Sequence, residues 1–160
     1  MTRQKIYRTN ATTDVSVQTV VDKAEKAFQN ETPEAFLCRL SAVADKKAFV
    51  NALKPFFQNK GVAFLVDDRD FCAETDGLQI PYGPDVAAVR KKYPDIALGV
   101  VCRNRHEAMI AGEKGADYIA FDGENATELC RWWAELFTVP CVFARDGDCR
   151  EADFILKPYS

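Results

Sequence analysis

Apolar residues recur along this chain in two alternating rhythms. Short runs of branched and aromatic residues, bounded by charges, give way to stretches in which apolar positions return every three or four residues. The runs predict strands at Lys5–Thr9, Phe36–Leu40, Val62–Val66, Gly77–Ile80, Ile96–Cys102, Tyr118–Phe121, Val139–Phe143 and Phe154–Leu156. The stripes predict the helices between them. Val15–Asn30 carries Val17, Val20, Val21, Ala24, Ala27 and Phe28 on one face, and Asp45–Asn59 turns Phe49, Leu53, Phe56 and Phe57 inward before Gly61. Further helices are expected at Asp85–Lys92, Arg105–Lys114 and Asn125–Phe137. Strict alternation of strand and helix argues for a parallel sheet with right-handed crossovers.

Eight such units specify an α/β fold, a compact (β/α)8 barrel of the TIM type forming one domain over residues 1–160. The chain is short for that architecture, in which about 250 residues is usual and roughly 200 is near the floor. The shortage can be located. The third unit has room for one helical turn, and the seventh and eighth have no room for a packed helix. Their strands, apolar on both faces, would leave an uncovered wall at Val139–Phe143 and Phe154–Leu156. A homodimer pairing these walls is the expected closure, unless the first helix or the tail folds across the gap.

Composition narrows the function classes. With 48% hydrophobic and 28% charged residues and a formal charge of −3, the chain describes an ordinary globule. It lacks the Lys/Arg cluster that nucleic acid or an anionic membrane would require. No apolar run approaches a membrane span, and Met1-Thr-Arg-Gln-Lys5 lacks an apolar signal core, so a cytoplasmic location is expected. The six cysteines show no C-x2-C spacing, and His106 is the single histidine. Zinc binding is therefore not indicated, and Cys38, Cys102 and Cys141 read as small hydrophobes in strand-like runs.

Chemistry concentrates where an apolar strand breaks into charge, at Gly61-Val-Ala-Phe-Leu-Val-Asp-Asp-Arg69. In α/β folds ligands sit at the C-terminal edge of the strands. Two carboxylates there suit Mg²⁺ or a pyrophosphate-linked cation, and equally suit plain solvated loop chemistry. Arg103 and Arg105 at the end of the fifth strand fit an anion or a solvated helix start. The pattern Val66-Asp67-Asp68, with Phe154-Ile-Leu-Lys-Pro158 far downstream, resembles a phosphoacceptor receiver domain. That resemblance lacks its central aspartate, because the strand after Tyr93-Pro-Asp95 carries no carboxylate.

Along the whole chain the sequence resembles the thiamine-phosphate synthase and thiazole tautomerase family of (β/α)8 barrels, particularly a shortened proteobacterial branch. Leu37-Cys-Arg39, Val66-Asp-Asp-Arg69, Asp76-Gly-Leu-Gln-Ile80, Gly99-Val-Val-Cys-Arg103, Gly115-Ala-Asp-Tyr-Ile119 and Trp132-Trp-Ala-Glu-Leu-Phe-Thr-Val-Pro-Cys141 carry it in one register. The resemblance implies joining of a pyrimidine pyrophosphate to a thiazole phosphate with Mg²⁺, catalysed by electrostatic stabilisation of the leaving group. It assigns Arg39, Asp68 and Arg69 to catalysis and Asp68 with Asp85 to the metal. The expected contacts to a small phosphorylated heterocycle are Asp67, Gln79, Cys102, Arg103, Arg145 and Lys157, of which Arg103, Arg145 and Lys157 are read from their charge near strand ends.

Departures from the family pattern are also legible. Leu37 stands where the pattern has glutamine, Ser41 where it has lysine, and Asp67 where it has asparagine. Val101-Cys102 replaces a Ser-Thr pair, Asp122-Gly-Glu-Asn125 replaces a phosphate-holding loop, and Arg145-Asp146 replaces a glycine pair. Asp85 is one residue out of register. Turnover is accordingly expected to be weak or absent, with a non-enzymatic binding or regulatory barrel as the alternative.

Overall fold

The predicted strands pair in sequence order and close into one parallel barrel. The computed structural model describes residues 5–159. The strands are β1 (Lys5–Thr9), β2 (Ala35–Cys38), β3 (Ala63–Val66), β4 (Gly77–Pro81), β5 (Ala97–Cys102), β6 (Tyr118–Phe121), β7 (Cys141–Phe143) and β8 (Phe154–Pro158). The helices are α1 (Val17–Phe28), α2 (Lys46–Lys60), α3 (Val86–Lys92), α4 (Arg105–Glu113) and α5 (Ala126–Leu136). A single 3-10 turn, Arg69–Phe71, fills the short third unit. No α-helix follows β7 or β8 among the described residues. The open sheet of a receiver is not formed, and no described helix is long and apolar enough to cross a membrane.

Local chemistry fixes the ends of these elements. Ser16, Asp45 and Asn104 each accept a hydrogen bond from the backbone N–H three residues on, capping α1, α2 and α4. Glu107 reaches back to accept from the Arg103 N–H at 3.0 Å, one residue ahead of the cap, and ties the chain entering α4 to its first turn. Helix α2 ends at Gly61, whose φ of 70° is left-handed and favours glycine. Strand β7 starts later than the apolar run suggests, because Pro140 has no N–H to give; its carbonyl still accepts from Ile119 at 3.0 Å. A repeated device ties neighbouring strands at the N-terminal end of the barrel. Asp76, Asp117 and Asp153 each precede a strand and accept from a backbone N–H at the start of the previous one, Phe64, Leu98 and Cys141.

Two separate cores result. Inward side chains such as Tyr7, Leu37, Leu65, Ala120 and Val142 fill the barrel, while outward ones pack under the helices. The uncovered wall expected on β7 and β8 is not there. Phe143 and Ile155 are only 5% and 8% exposed. Cys149 and Ala152, from the connection after β7, are buried in the same outer core, as is Tyr159 beyond β8. Tyr159 packs edge-on to Phe36 with centroids 5.6 Å apart and donates its hydroxyl to Asp14, just ahead of α1. Phe154 faces the barrel interior instead. A ten-residue connection and the chain segment after β8 thus do the covering that helices do elsewhere, and the wall no longer supplies a reason for a dimer.

Candidate active site at the barrel mouth

The C-terminal ends of the strands surround a cavity of about 410 Å³. Its charged lining comes from four of the eight units: Arg39 beyond β2, Asp67 beyond β3, Arg103 and Glu107 beyond β5, and Asp122 beyond β6. Leu37, Gln79 and Val101 form its floor. Arginine and carboxylate alternate around the rim, so the mouth is a mixed field rather than a basic anion cradle.

Arg39 is held from behind. Asn10, buried beyond β1, accepts from the Arg39 N–H at 2.7 Å and donates to its carbonyl at 3.2 Å. Arg39 Nε donates to Thr9 Oγ1 at 3.2 Å. The terminal nitrogens have no protein partner among the described residues and are available to an anion. Asp67 is fixed by the Leu40 N–H at 3.0 Å. Burial raises its carboxyl above the usual range, outweighing the Leu40 hydrogen bond and the nearby Arg39, which pull it down.

The two adjacent carboxylates point opposite ways, as strand alternation requires. Asp67 lines the cavity. Asp68 turns outward to α2, where Lys46 Nζ lies 3.0 Å from Oδ2 and the Asp70 N–H caps Oδ1 at 3.0 Å. Desolvation raises the Asp68 carboxyl, but the Lys46 and Asp70 hydrogen bonds prevail and hold it below its usual value. Asp85 is ion-paired with Arg69, which keeps its carboxyl low. Both carboxylates expected to hold Mg²⁺ are therefore engaged by cations, and among the described residues no three His, Cys, Asp or Glu side chains converge as a metal site. The arrangement does not fit a resident magnesium ion.

Of the residues the sequence nominated, Arg39, Asp67, Gln79 and Arg103 meet at the mouth. Asp68, Arg69 and Asp85 form outward ion pairs instead. Cys102 is buried in the outer core, with Val101 on the cavity side, and burial pushes its thiol up to about 12. Lys157 likewise faces outward, 4.0 Å from Glu31. Arg145 donates to the Gly123 carbonyl at 2.7 Å, outside the cavity lining. Sequence reasoning did not find the buried Thr9 and Asn10 behind Arg39, nor Tyr7 and Tyr118 behind Gln79. An asparagine directly after a predicted strand was the available signal for the first pair.

The family model described as thiamine monophosphate synthase matches residues 9–143. The thiamine-phosphate synthase of Rhodospirillum centenum is 38% identical over 110 residues, which cover 58% of this chain and 53% of that protein. The enzyme of the same name from Erythrobacter litoralis is 36% identical over 102 residues, covering 51% and 47%. The chain thus spans about half the length of the curated relatives it matches. Among solved structures, thiamine phosphate pyrophosphorylase from Pyrococcus furiosus superposes with a TM-score of 0.77 over 96% of this chain and 85% of that one, at 20% identity.

Proposed function

The chain belongs to the thiamine monophosphate synthase family, and on that premise we propose that it binds a phosphorylated heterocycle of thiamine biosynthesis at the barrel mouth, with turnover far below that of a complete synthase. The observation that carries this reading is the Arg39 guanidinium, anchored by Thr9 and Asn10 and left with its terminal nitrogens free at a cavity large enough for such a ligand. Arg103 adds a second cation from the facing unit. Their role is to orient the anionic group; Leu37 and Val101 offer apolar contact to a ring.

Three features support weak turnover. Asp67, Glu107 and Asp122 share the mouth with the two arginines and oppose a pyrophosphate. No lysine lines the cavity. The seventh unit, whose loop helps hold phosphate in this class of barrel, has no helix N-terminus to offer. If two electrostatic contacts are lost, a rate deficit of about 10³ or more follows. The same balance of charges favours a second reading, a binding or regulatory barrel without catalysis.

A thermal-shift panel tests the proposal. Thiamine phosphate or one of its pyrimidine or thiazole phosphate precursors should raise the melting temperature, since a ligand at a hundred times its Kd adds about 2.7 kcal/mol. Arg39→Ala should abolish the shift. No response to any of the three would overturn the reading, and robust thiamine phosphate formation by the purified protein would overturn the claim of weak turnover.

A further inference from the structure

A second cavity, of about 220 Å³, lies at the other end of the barrel, where the strands begin. Its wall is made of unusually small residues. Ala35 opens β2, Ala63 opens β3 and Ala97 opens β5, and all three line it. Gly77 opens β4 between them, and it cannot fill the gap: a Cβ there would lie 2.5 Å from Leu65 Cδ2 and 2.8 Å from the Ala97 carbonyl oxygen. Barrel interiors are ordinarily packed in layers by bulky branched side chains. Four successive strands here start with alanine or glycine, and a cup is left open.

The rest of the cup is aromatic and aliphatic carbon. Tyr7, Leu65 and Val142 line it one layer further in, and Tyr118 and Phe154 bring rings from the starts of β6 and β8. The Tyr7 and Tyr118 rings meet edge-on, with centroids 6.5 Å apart. Their polar ends are spent elsewhere. Tyr7 donates its hydroxyl to Gln79 Oε1 at 2.6 Å and Tyr118 donates to the same oxygen at 2.9 Å, and Gln79 belongs to the mouth. To reach it from β6, Tyr118 crosses β5 at Gly99, where a Cβ would lie 2.0 Å from Cζ. The two tyrosines thus form a partition, with hydroxyls toward the mouth and ring carbon toward the cup. Among the described residues none lines both cavities.

Charge around the cup selects against ions of either sign. Glu34 is the one charged residue in the described lining, and it opposes an anion. The Phe154 ring already faces a cation, Lys5 Nζ, 5.6 Å from its centroid. A charged group carried inside would lose its hydration and meet no polar partner, since both phenols are engaged. Size points the same way: an apolar cavity of about 150 Å³ suffices to hold benzene.

We propose that this cup is a second binding site, separate from the mouth, for a flat, uncharged aromatic molecule of one or two rings. Such a ligand packs between the alanine wall and the carbon faces of Tyr7, Tyr118 and Phe154, and needs no hydrogen bond from the protein.

The test is a titration with toluene, benzoate and benzylammonium at pH 7, followed by NMR of the methyl groups. Toluene should shift Leu65 and Val142, which line the cup, more than Leu37 and Val101, which line the mouth. The two charged rings should bind about tenfold or more weakly. Ala63 and Ala97 are half-buried, so Ala63→Leu and Ala97→Leu have room to project into the cup; each should abolish the toluene shifts while the melting response to thiamine phosphate survives. If both leucine variants unfold, the wild-type methyl map decides alone. Shifts centred on the mouth, toluene binding that persists in both variants, equal affinity for the charged rings, or no toluene binding at all would overturn the inference. A wild-type dimer that Ala97→Leu turns into a monomer would assign the cup to a second copy of the chain and overturn it as well. None of these outcomes decides whether thiamine phosphate binds at the mouth, so the two readings fail separately.

Discussion

Lys46 Nζ lies 3.0 Å from Asp68 Oδ2 and holds that carboxylate against α2, facing away from the barrel axis. The residue that a family pattern nominates for metal binding therefore works in this chain as a tie between a helix and the loop after β3. Removing the lysine should be mild: Lys46→Ala is expected to cost under about 1 kcal/mol, since both side chains retain some solvent contact.

Magnesium follows from the same pair. With Asp68 and Asp85 each engaged by a cation, calorimetric titration of the apoprotein with Mg²⁺ alone should give little heat. Any binding should require pyrophosphate as co-ligand, because Mg²⁺ keeps several waters and shares few protein carboxylates. Tight binding of the ion without a phosphate would refute this.

Asp67 predicts a specific pH dependence. Burial raises its folded-state pKa above the ordinary 3.8, so the folded protein holds the proton more tightly than the unfolded chain. Its ionisation near neutrality therefore costs stability, and that cost is relieved as pH falls through the raised value. Asp67→Asn keeps an oxygen for the Leu40 N–H and should be more stable than wild type at neutral pH. The gap should shrink toward acid pH, measured by denaturant midpoints. A gap that does not change with pH would count against the assignment.

Gly99→Ala should destabilise by about 1–3 kcal/mol through overpacking against the Tyr118 ring. Tyr118→Ala in the same chain removes the obstacle, so the double variant should be more stable than the two single losses added together. Simple additivity in a double-mutant cycle would mean that the ring does not occupy that space.

Phe143→Ala should behave as a core truncation, costing about 3–5 kcal/mol. Sedimentation of the wild type at micromolar concentration distinguishes this from an interface role. If Phe143 were part of a dimer contact, its replacement by Glu would give a folded monomer; as a core residue it should give an unfolded chain.

The order of elements was legible because period 2 and period 3.6 alternate cleanly; β1 and β6 end where the apolar pattern places them. The direction of individual side chains was not. Strands covered on both faces are apolar at every position, so the alternation that would mark the inward face is missing. Nothing in the residue pattern could therefore correct the family pattern that favoured Asp68 over Asp67, or the placing of Cys102 and Lys157 at a mouth that neither lines. One residue of parity separates Asp68 and Cys102 from the cavity that Asp67 and Val101 line. Tyr7 and Tyr118 escaped notice for a related reason: each read as one more apolar strand residue, and only the closed barrel brings them to Gln79. The missing helices were correctly located by counting, but their replacement by a connection carrying Cys149 and Ala152, and by Tyr159, depends on tertiary contacts that spacing does not encode.

The seam between β1 and β8 has a kinetic consequence. Arg8 donates to the Pro158 carbonyl across 150 positions of sequence, and five residue pairs join the two strands there. Every other junction in the ring links consecutive strands, so this one closes the largest loop and carries the greatest entropic cost of search. Before it forms, the molecule is a curved sheet with two bare parallel edges, β1 and β8, each able to template another chain. Folding yield, more than final stability, should then be governed by Phe154–Pro158: slowing that step should divert molecules into aggregates even where the finished barrel would be sound.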